Sequence, residues 1–142
     1  MSRGRRTVYP SLGPEGLAAV VSAIRVTVHL PAKPSSDQVI VAYTELFELT
    51  YAHLSVMVGT KGAQAITQRA IKRAKVDQPA VGRAAVSDDR VVLDGVRKGS
   101  GSAQKLQVEV EHLFLMTMDV LASLIGVDLL ITVLEKLTSR KG

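Results

Sequence analysis

Cysteine and tryptophan are absent from this chain, and aromatic residues make up only 4% of it. The absence of cysteine excludes disulfide bonds, cysteine-ligated zinc, iron–sulfur clusters and thiol nucleophiles. It also fits a reducing compartment, so we predict a cytoplasmic location. The scarcity of aromatic rings argues against binding schemes in which nucleic-acid bases stack on side chains.

Long uninterrupted apolar runs are also missing. The most apolar stretch, Leu113–Leu134, contains Asp119 and Asp128, and an aspartate near the centre of a bilayer costs about 2.5–3.5 kcal/mol. We therefore expect a buried helix and no membrane partner. A basic start, with Arg3, Arg5 and Arg6, precedes an apolar segment as in a secretory signal, but Arg25 interrupts that segment and the cleavage pattern is lacking, so export is not expected.

Length and composition are those of one folded protein: 142 residues, of which 46% are hydrophobic and 22% charged. Residues 1–37 are predicted to form an N-terminal arm. Within it, the apolar stretch 17–30 fits a helix in its first part and a strand in its second, and we interpret it as helical. Pro31 and Pro34 mark a linker to the remaining domain, residues 38–142.

From Asp37 onward, apolar residues recur every three or four positions, which predicts a helix to about Val58. Ser36 and Asp37 are suitable N-caps. Gly59 is expected to end this helix with a positive φ, and Thr60 to cap a second helix that Pro79 bounds. The predicted inner face of the second helix consists of Ala63, Ile66, Ala70 and Ala74.

Residues 78–103 are predicted to be a connector, either a loop or a short hairpin, with a flexible segment at Gly99-Ser100-Gly101-Ser102. The helical spacing then resumes from Leu106 to Ile125 and stops at Gly126. A fourth helix follows from Asp128 to about Thr138.

The two helical regions align when Gly59 is placed on Gly126, an offset of 67 residues. Five of the 14 positions from 46 to 59 are then identical, where chance gives about one. We therefore predict an all-α fold in which one helix–glycine–helix unit occurs twice, as residues 38–77 (the first unit) and 104–140 (the second unit). Two such hairpins would cover each other's apolar faces in a four-helix arrangement.

The duplicated unit, the sequence Leu124-Ile125-Gly126-Val127-Asp128-Leu129 and the Asp–Gly-containing connector resemble a group of uncharacterised bacterial helical proteins. The resemblance covers about residues 38–138. It implies the fold and assigns no functional residues, because its motifs concern packing.

The sharpest local motif is Gly59-Thr60-Lys61-Gly62, which resembles the GxxG loop with which KH domains hold nucleic-acid backbone. Basic side chains follow on the predicted second helix, at Arg69, Lys72 and Arg73. One alternative is therefore a nucleic-acid-binding protein. A long predicted helix precedes Gly59, however, and the second unit lacks the motif, so a helix end at Gly59 is the simpler interpretation.

Glu109 and His112 have the E-x-x-H spacing of di-iron helical bundles. In the alignment of the two units His112 overlies Glu45, so Glu45, Glu109 and His112 supply at most half of such a ligand set. A metal- or small-molecule-binding bundle is thus a second alternative. A structural role for these side chains is simpler, and we expect no cofactor. His53 is interpreted as a core or boundary histidine.

The two aspartates of the apolar stretch have different interpretations. Asp128 is favourably placed in the first turn of a helix. Asp119 is expected to face solvent or a partner, with acid–base chemistry at a raised pKa as the alternative. No Ser–His–Asp grouping, Walker loop or dinucleotide fingerprint is present, so a conventional enzyme is not expected.

The main hypothesis is a non-enzymatic interaction or regulatory module that forms a homodimeric scaffold. The helix from Leu106 to Ile125 has apolar residues on more than one face, with Leu115, Met116 and Met118 beyond what one packing partner would cover. This surplus predicts self-association or the binding of another protein.

Overall fold

Five α-helices account for most of residues 9–87 and 90–141, which the computed structural model describes. They are α1 (Gly13–Thr27), α2 (Ser36–Asp77), α3 (Asp94–Ser100), α4 (Ala103–Ile125) and α5 (Val127–Lys141). A 3₁₀ turn (Pro79–Arg83) and two short strands, β1 (Ala85–Val86) and β2 (Val91–Val92), lie between α2 and α3. The prediction of a mainly helical fold is confirmed. Arg3, Arg5 and Arg6 lie outside the described residues.

α2 begins with a capping box. The Ser35 hydroxyl accepts the Gln38 N–H at 3.1 Å, and the Gln38 side-chain oxygen accepts the Ser35 N–H at 2.9 Å. The predicted caps, Ser36 and Asp37, are therefore wrong by one or two positions. Ser35 is the residue that has a glutamine three positions later, which the box requires.

α2 bends at Gly59, where a break is predicted. Gly59 has φ 82° and ψ 163°, a region that only glycine adopts readily. The predicted positive φ is confirmed. The junction of α4 and α5 lies at Gly126, whose φ of 89° and ψ of 154° are nearly the same.

The core lies mainly between α2 and α4. At its centre Phe47 and Phe114 make an edge-to-face contact, with ring centroids 5.4 Å apart. The C-terminal half of α2 buries the four residues predicted for its inner face, which confirms the helical spacing there: Ala63, Ile66, Ala70 and Ala74. The small side chains of the three alanines let the helix approach its neighbours closely.

α1 packs along α5 and contacts α4. It is tied into the same hydrophobic core as the other helices by Leu12, Val20 and Ile24, all of which are buried. The described part of the predicted arm therefore contains a helix that shares the core of residues 38–142.

The connector is more ordered than predicted. β1 and β2 pair antiparallel, with Ala85 opposite Val92, which is the short hairpin given as one option. The predicted flexible segment at residues 99–102 is wrong in its first half, because Gly99 and Ser100 belong to α3. A Cβ at Gly95 would lie 2.4 Å from the Arg83 carbonyl oxygen, so glycine is needed where α3 packs against the 3₁₀ turn.

Candidate functional site

The predicted GxxG loop lies at the bend of α2. Gly59, Thr60 and Lys61 are exposed, and Gly62 is half-buried. A Cβ at Gly62 would meet the Val58 side chain at 2.9 Å, so its small size serves packing between turns of the helix. The loop is accessible, but its glycines have conformational and packing roles of their own.

The basic residues behind the loop divide into two sets. Arg69 and Lys72 are exposed and line a cleft of about 620 Å³ together with Gln68, Ile71, Ala84 and Val86. Arg73 points elsewhere and donates to Asp119 at 3.0 Å. The structure therefore brings Arg69 and Lys72 together at one cleft and assigns Arg73 to an ion pair.

The predicted metal ligands have separate surroundings. Glu45 is exposed, whereas Glu109 is buried and accepts a hydrogen bond from the Ser100 hydroxyl. His112 is buried beside Tyr9 and Asp77. Among residues 9–87 and 90–141, no group of three or more histidine, aspartate or glutamate side chains has an arrangement that could hold a metal ion.

Three buried ionisable side chains lie along α4: Glu109, His112 and Asp119. Their spacings of three and seven residues place them on the same side of the helix. Each has a partner from a different part of the chain, so this row of side chains, the polar stripe of α4, fastens other segments to the central helix.

Asp119 is the most deeply buried member of the stripe, with 0% exposure. One carboxylate oxygen accepts the N–H groups of Ser11 and Leu12 at 2.8 and 2.9 Å, and the other accepts from Arg73. The expectation that Asp119 faces solvent or a partner is therefore wrong. Its negative charge lies at the N-terminal end of α1, where the helix dipole stabilises it.

His112 links the N-terminal segment to the end of α2. The Tyr9 hydroxyl is hydrogen-bonded to Nδ1 of His112, and Nε2 lies 3.5 Å from an Asp77 carboxylate oxygen. With the Tyr9 hydroxyl donating to Nδ1, the neutral imidazole carries its proton on Nε2, toward Asp77. Burial lowers the pKa of His112, and the nearby Asp77 carboxylate opposes that shift.

Burial also shifts the pKa values of groups around His112. Burial, together with the carboxylates of Glu111, Asp77 and Asp119, raises the pKa of the Tyr9 hydroxyl above its ordinary value. Burial also raises the pKa of Glu111. A phenol with a raised pKa is a hydrogen-bond donor rather than a nucleophile, so the polar stripe serves to position segments.

Tyr9, Asp77 and Ser100 are partners that sequence reasoning missed. Ser11 and Asp119 are 108 residues apart in the chain, and Tyr9 and His112 are 103 apart. Local spacing cannot reveal such pairs. The available signal was the presence of ionisable residues inside the most apolar helix, since such residues are seldom buried without partners.

The surplus apolar surface expected on α4 is covered within the chain. Every residue from Leu113 to Ala122 is buried, including Leu115, Met116 and Met118. α1, α2, α3 and α5 all contact α4. The argument for a partner at this helix is therefore wrong, because four other helices surround it.

Exposed apolar side chains occur instead near the two glycine bends. Of the nine large hydrophobic residues exposed in the described part of the chain, five lie within three positions of Gly59 or Gly126: Val56, Met57, Val58, Leu124 and Leu129. Val56 is 87% exposed. Some of these residues line a groove of about 440 Å³ between α2 and α5, formed by Ala52, His53, Val56, Met57, Leu129, Thr132, Val133 and Lys136.

Within the described residues, the helices are too short or too polar to cross a lipid bilayer. A comparison with protein-family models, curated proteins and solved structures found no match. We therefore infer function from the surfaces of the molecule alone.

Proposed function

We propose that this chain is a non-enzymatic helical interaction module that self-associates through the groove between α2 and α5, as a scaffold or regulator. The observation that carries the proposal is the exposure of Val56 at 87% and Leu129 at 47% on the two sides of that groove. Contiguous exposed apolar surface is typical of protein interaction sites.

A second copy of the chain is the occupant we propose. Symmetric homodimers are the commonest oligomers, and a twofold interface uses the same patch on both subunits. The groove offers both elements of such a patch, since the protruding Val56 borders the concave surface that a partner's Val56 would enter. Burying such a side chain contributes about 1.5–3 kcal/mol.

Light scattering of the purified protein on a sizing column tests this proposal. We expect the wild-type protein to be a dimer at micromolar concentration and Val56→Asp to be a monomer. Val76→Asp is the matched control, because Val76 is 78% exposed on the same helix and does not line the groove. A wild-type monomer at the highest concentration reached, or equal dissociation by both variants, would contradict the proposal.

We further propose that the two helix–glycine–helix units are copies of one ancestral unit in a four-helix arrangement. The nearly equal backbone angles at Gly59 and Gly126 support this. So do the equivalent hydrogen bonds from Thr50 to the Leu46 carbonyl at 2.9 Å and from Thr117 to the Leu113 carbonyl at 2.8 Å.

The contact between Phe47 and Phe114 also supports the proposed duplication. These residues are equivalent at the offset of 67, and equivalent residues touch each other where a twofold axis relates two units. The proposed axis would pass close to this aromatic pair.

A further inference from the structure

The C-terminal half of α2 has a row of exposed cations along one side. Lys61, Arg69, Lys72 and Lys75 are all exposed, and their spacings of eight, three and three residues place them on one broad face, with Lys61 about two turns before Arg69. The sequence has no aspartate or glutamate from position 49 to position 76. We call these four residues the basic face.

Arg69 and Lys72, at the centre of this face, are available to a binding partner. Arg73 is paired with Asp119, and Arg97 with Asp37. Among the described residues, no carboxylate is in salt-bridge range of Arg69 or Lys72. Their charges therefore face solvent in the cleft that Ala84 and Val86 also line.

The positive charge of the chain is concentrated in the segment that carries this face; the connector, residues 78–103, contributes only +1 of it. Residues 61–105 contain ten lysines and arginines against four aspartates and glutamates, a net charge of +6, whereas the other residues sum to −1. The connector packs on α2 through its 3₁₀ turn and both strands. The molecule is therefore electrically asymmetric, which favours association with a polyanion.

We propose that the basic face binds the phosphate backbone of duplex nucleic acid without reading base sequence. From Lys61 to Lys75 the helix rises about 21 Å, at about 1.5 Å per residue, and duplex DNA presents one phosphate per about 1.7 Å of its axis. The basic face is therefore long enough to contact several phosphates of one duplex. No aromatic ring lines the cleft, so contact with phosphates rather than base stacking is the mode of binding.

This inference goes beyond the proposed self-association and does not depend on it. The basic face and the groove between α2 and α5 have no residue in common. A monomeric protein could bind duplex nucleic acid, and a dimer could fail to do so.

Fluorescence anisotropy with a labelled duplex DNA of arbitrary sequence, titrated at several salt concentrations, tests the proposal. Four phosphate contacts give a slope of log affinity against log salt of about −3.6, which is a loss of about 150-fold between about 50 and 200 mM salt. Two unrelated duplex sequences should bind equally. Arg69→Gln combined with Lys72→Gln should reduce the slope to about −1.8.

The matched control is Arg25→Gln combined with Lys33→Gln, which removes the same charge from exposed positions outside the basic face. We expect it to retain nearly the wild-type slope. Far-ultraviolet circular dichroism of both variants confirms that they are folded.

Three outcomes would overturn the proposal. The first is no binding at about 50 mM salt, and the second is an equal loss in the two double variants, which would indicate a net-charge effect. The third is preferential capture by anionic lipid vesicles that compete the duplex away, which would indicate a membrane surface as the partner.

Discussion

The two glycine bends have nearly the same backbone angles, whereas the helices that they join carry different side chains. Gly59 and Gly126 have φ values of 82° and 89° and ψ values of 163° and 154°. After Gly59, residues 60–77 carry five basic residues and one acidic residue. After Gly126, residues 127–141 carry three basic and two acidic residues.

The helices before the two bends differ in their buried ionisable residues, which occur in the second unit. In the second unit, α4 is the central helix and buries Glu109, His112 and Asp119. In the first unit the positions aligned with these three are Ala42, Glu45 and Ala52, none of which is fully buried. The comparison teaches that similar bends can join helices with very different numbers of buried ionisable groups, because burial depends on what packs against each helix.

The largest effect of a substitution on the free energy of unfolding is expected at Asp119, in the second unit. Replacing Asp119 with alanine removes the acceptor for two backbone N–H groups and for Arg73, so it should lower the free energy of unfolding by about 3–5 kcal/mol. Val76→Asp introduces the same side chain at an exposed position of the first unit outside the groove, and should have an effect within about 0.5 kcal/mol. Urea unfolding measures both values.

Asp119→Asn gives a second measurement if the alanine variant does not fold. It retains one acceptor oxygen and loses the charge, so its stability should lie between those of the wild-type protein and Asp119→Ala. A loss below about 1 kcal/mol in Asp119→Ala would show that Asp119 does not fasten the start of α1.

The two bends should respond equally to substitution. A Cβ at Gly59 or Gly126 would meet nothing within 4 Å, so alanine has only a backbone cost, about 1–3 kcal/mol at these angles. Thermal or urea unfolding of Gly59→Ala and Gly126→Ala measures it. Losses that differ by more than about 1 kcal/mol would argue against equivalent roles, since each substitution imposes the same strain.

Acid should weaken the second unit through His112. Burial lowers the pKa of His112, so as the pH falls below the ordinary histidine value of 6.5 the unfolded chain takes up a proton before the folded protein does. The free energy of unfolding therefore falls until the pH passes the lowered pKa of the folded state. We expect this fall to begin as the pH drops through about 6.5 in urea unfolding of the wild-type protein.

His112→Gln should flatten that pH dependence, because it removes the imidazole whose pKa burial lowers. Glu111 acts in the opposite direction, because burial raises the pKa of its carboxyl and the resulting stabilisation is lost as the pH rises through that value. The difference between the wild-type protein and His112→Gln isolates the histidine. An unchanged slope in that variant would show that another group titrates.

The smallest effects are expected at the aligned threonines. Thr50 and Thr117 are buried, and each donates to the carbonyl four residues earlier in its helix. Valine in place of either keeps the branched shape and removes one hydrogen bond, so each variant should lose about 0.5–1.5 kcal/mol. Calorimetry measures these losses of stability. Similar losses at both positions would support the equivalence of the units, and a loss at only one position would argue against it.

Features governed by local spacing could be predicted. The bend at Gly59 follows from a glycine at the end of an apolar repeat, and the buried alanines of α2 follow from helical periodicity, which requires only neighbouring residues. The hairpin of the connector was only one option. α3 was missed because its two glycines and its aspartate have low helix propensity, and packing against the 3₁₀ turn overrides that propensity.

The candidate site was less predictable. Arg69, Lys72 and Arg73 are close in sequence and equally basic, yet the first two line a cleft and the third is bound to Asp119. The order of residues on a helix fixes their angular positions. It does not tell which angle meets solvent, because that depends on the neighbouring helices.

The sequence by itself determined the helical character of the chain, the glycine bends and the absence of thiol chemistry, since these depend on residue type and short-range geometry. The tertiary structure decided which ionisable groups are buried and which apolar residues stay exposed. Asp119 and the start of α1 are more than a hundred positions apart, and Val56 and Leu129 share a groove only because α2 and α5 pack together. Burial is a property of the assembled helices, so it became visible only when they were in place.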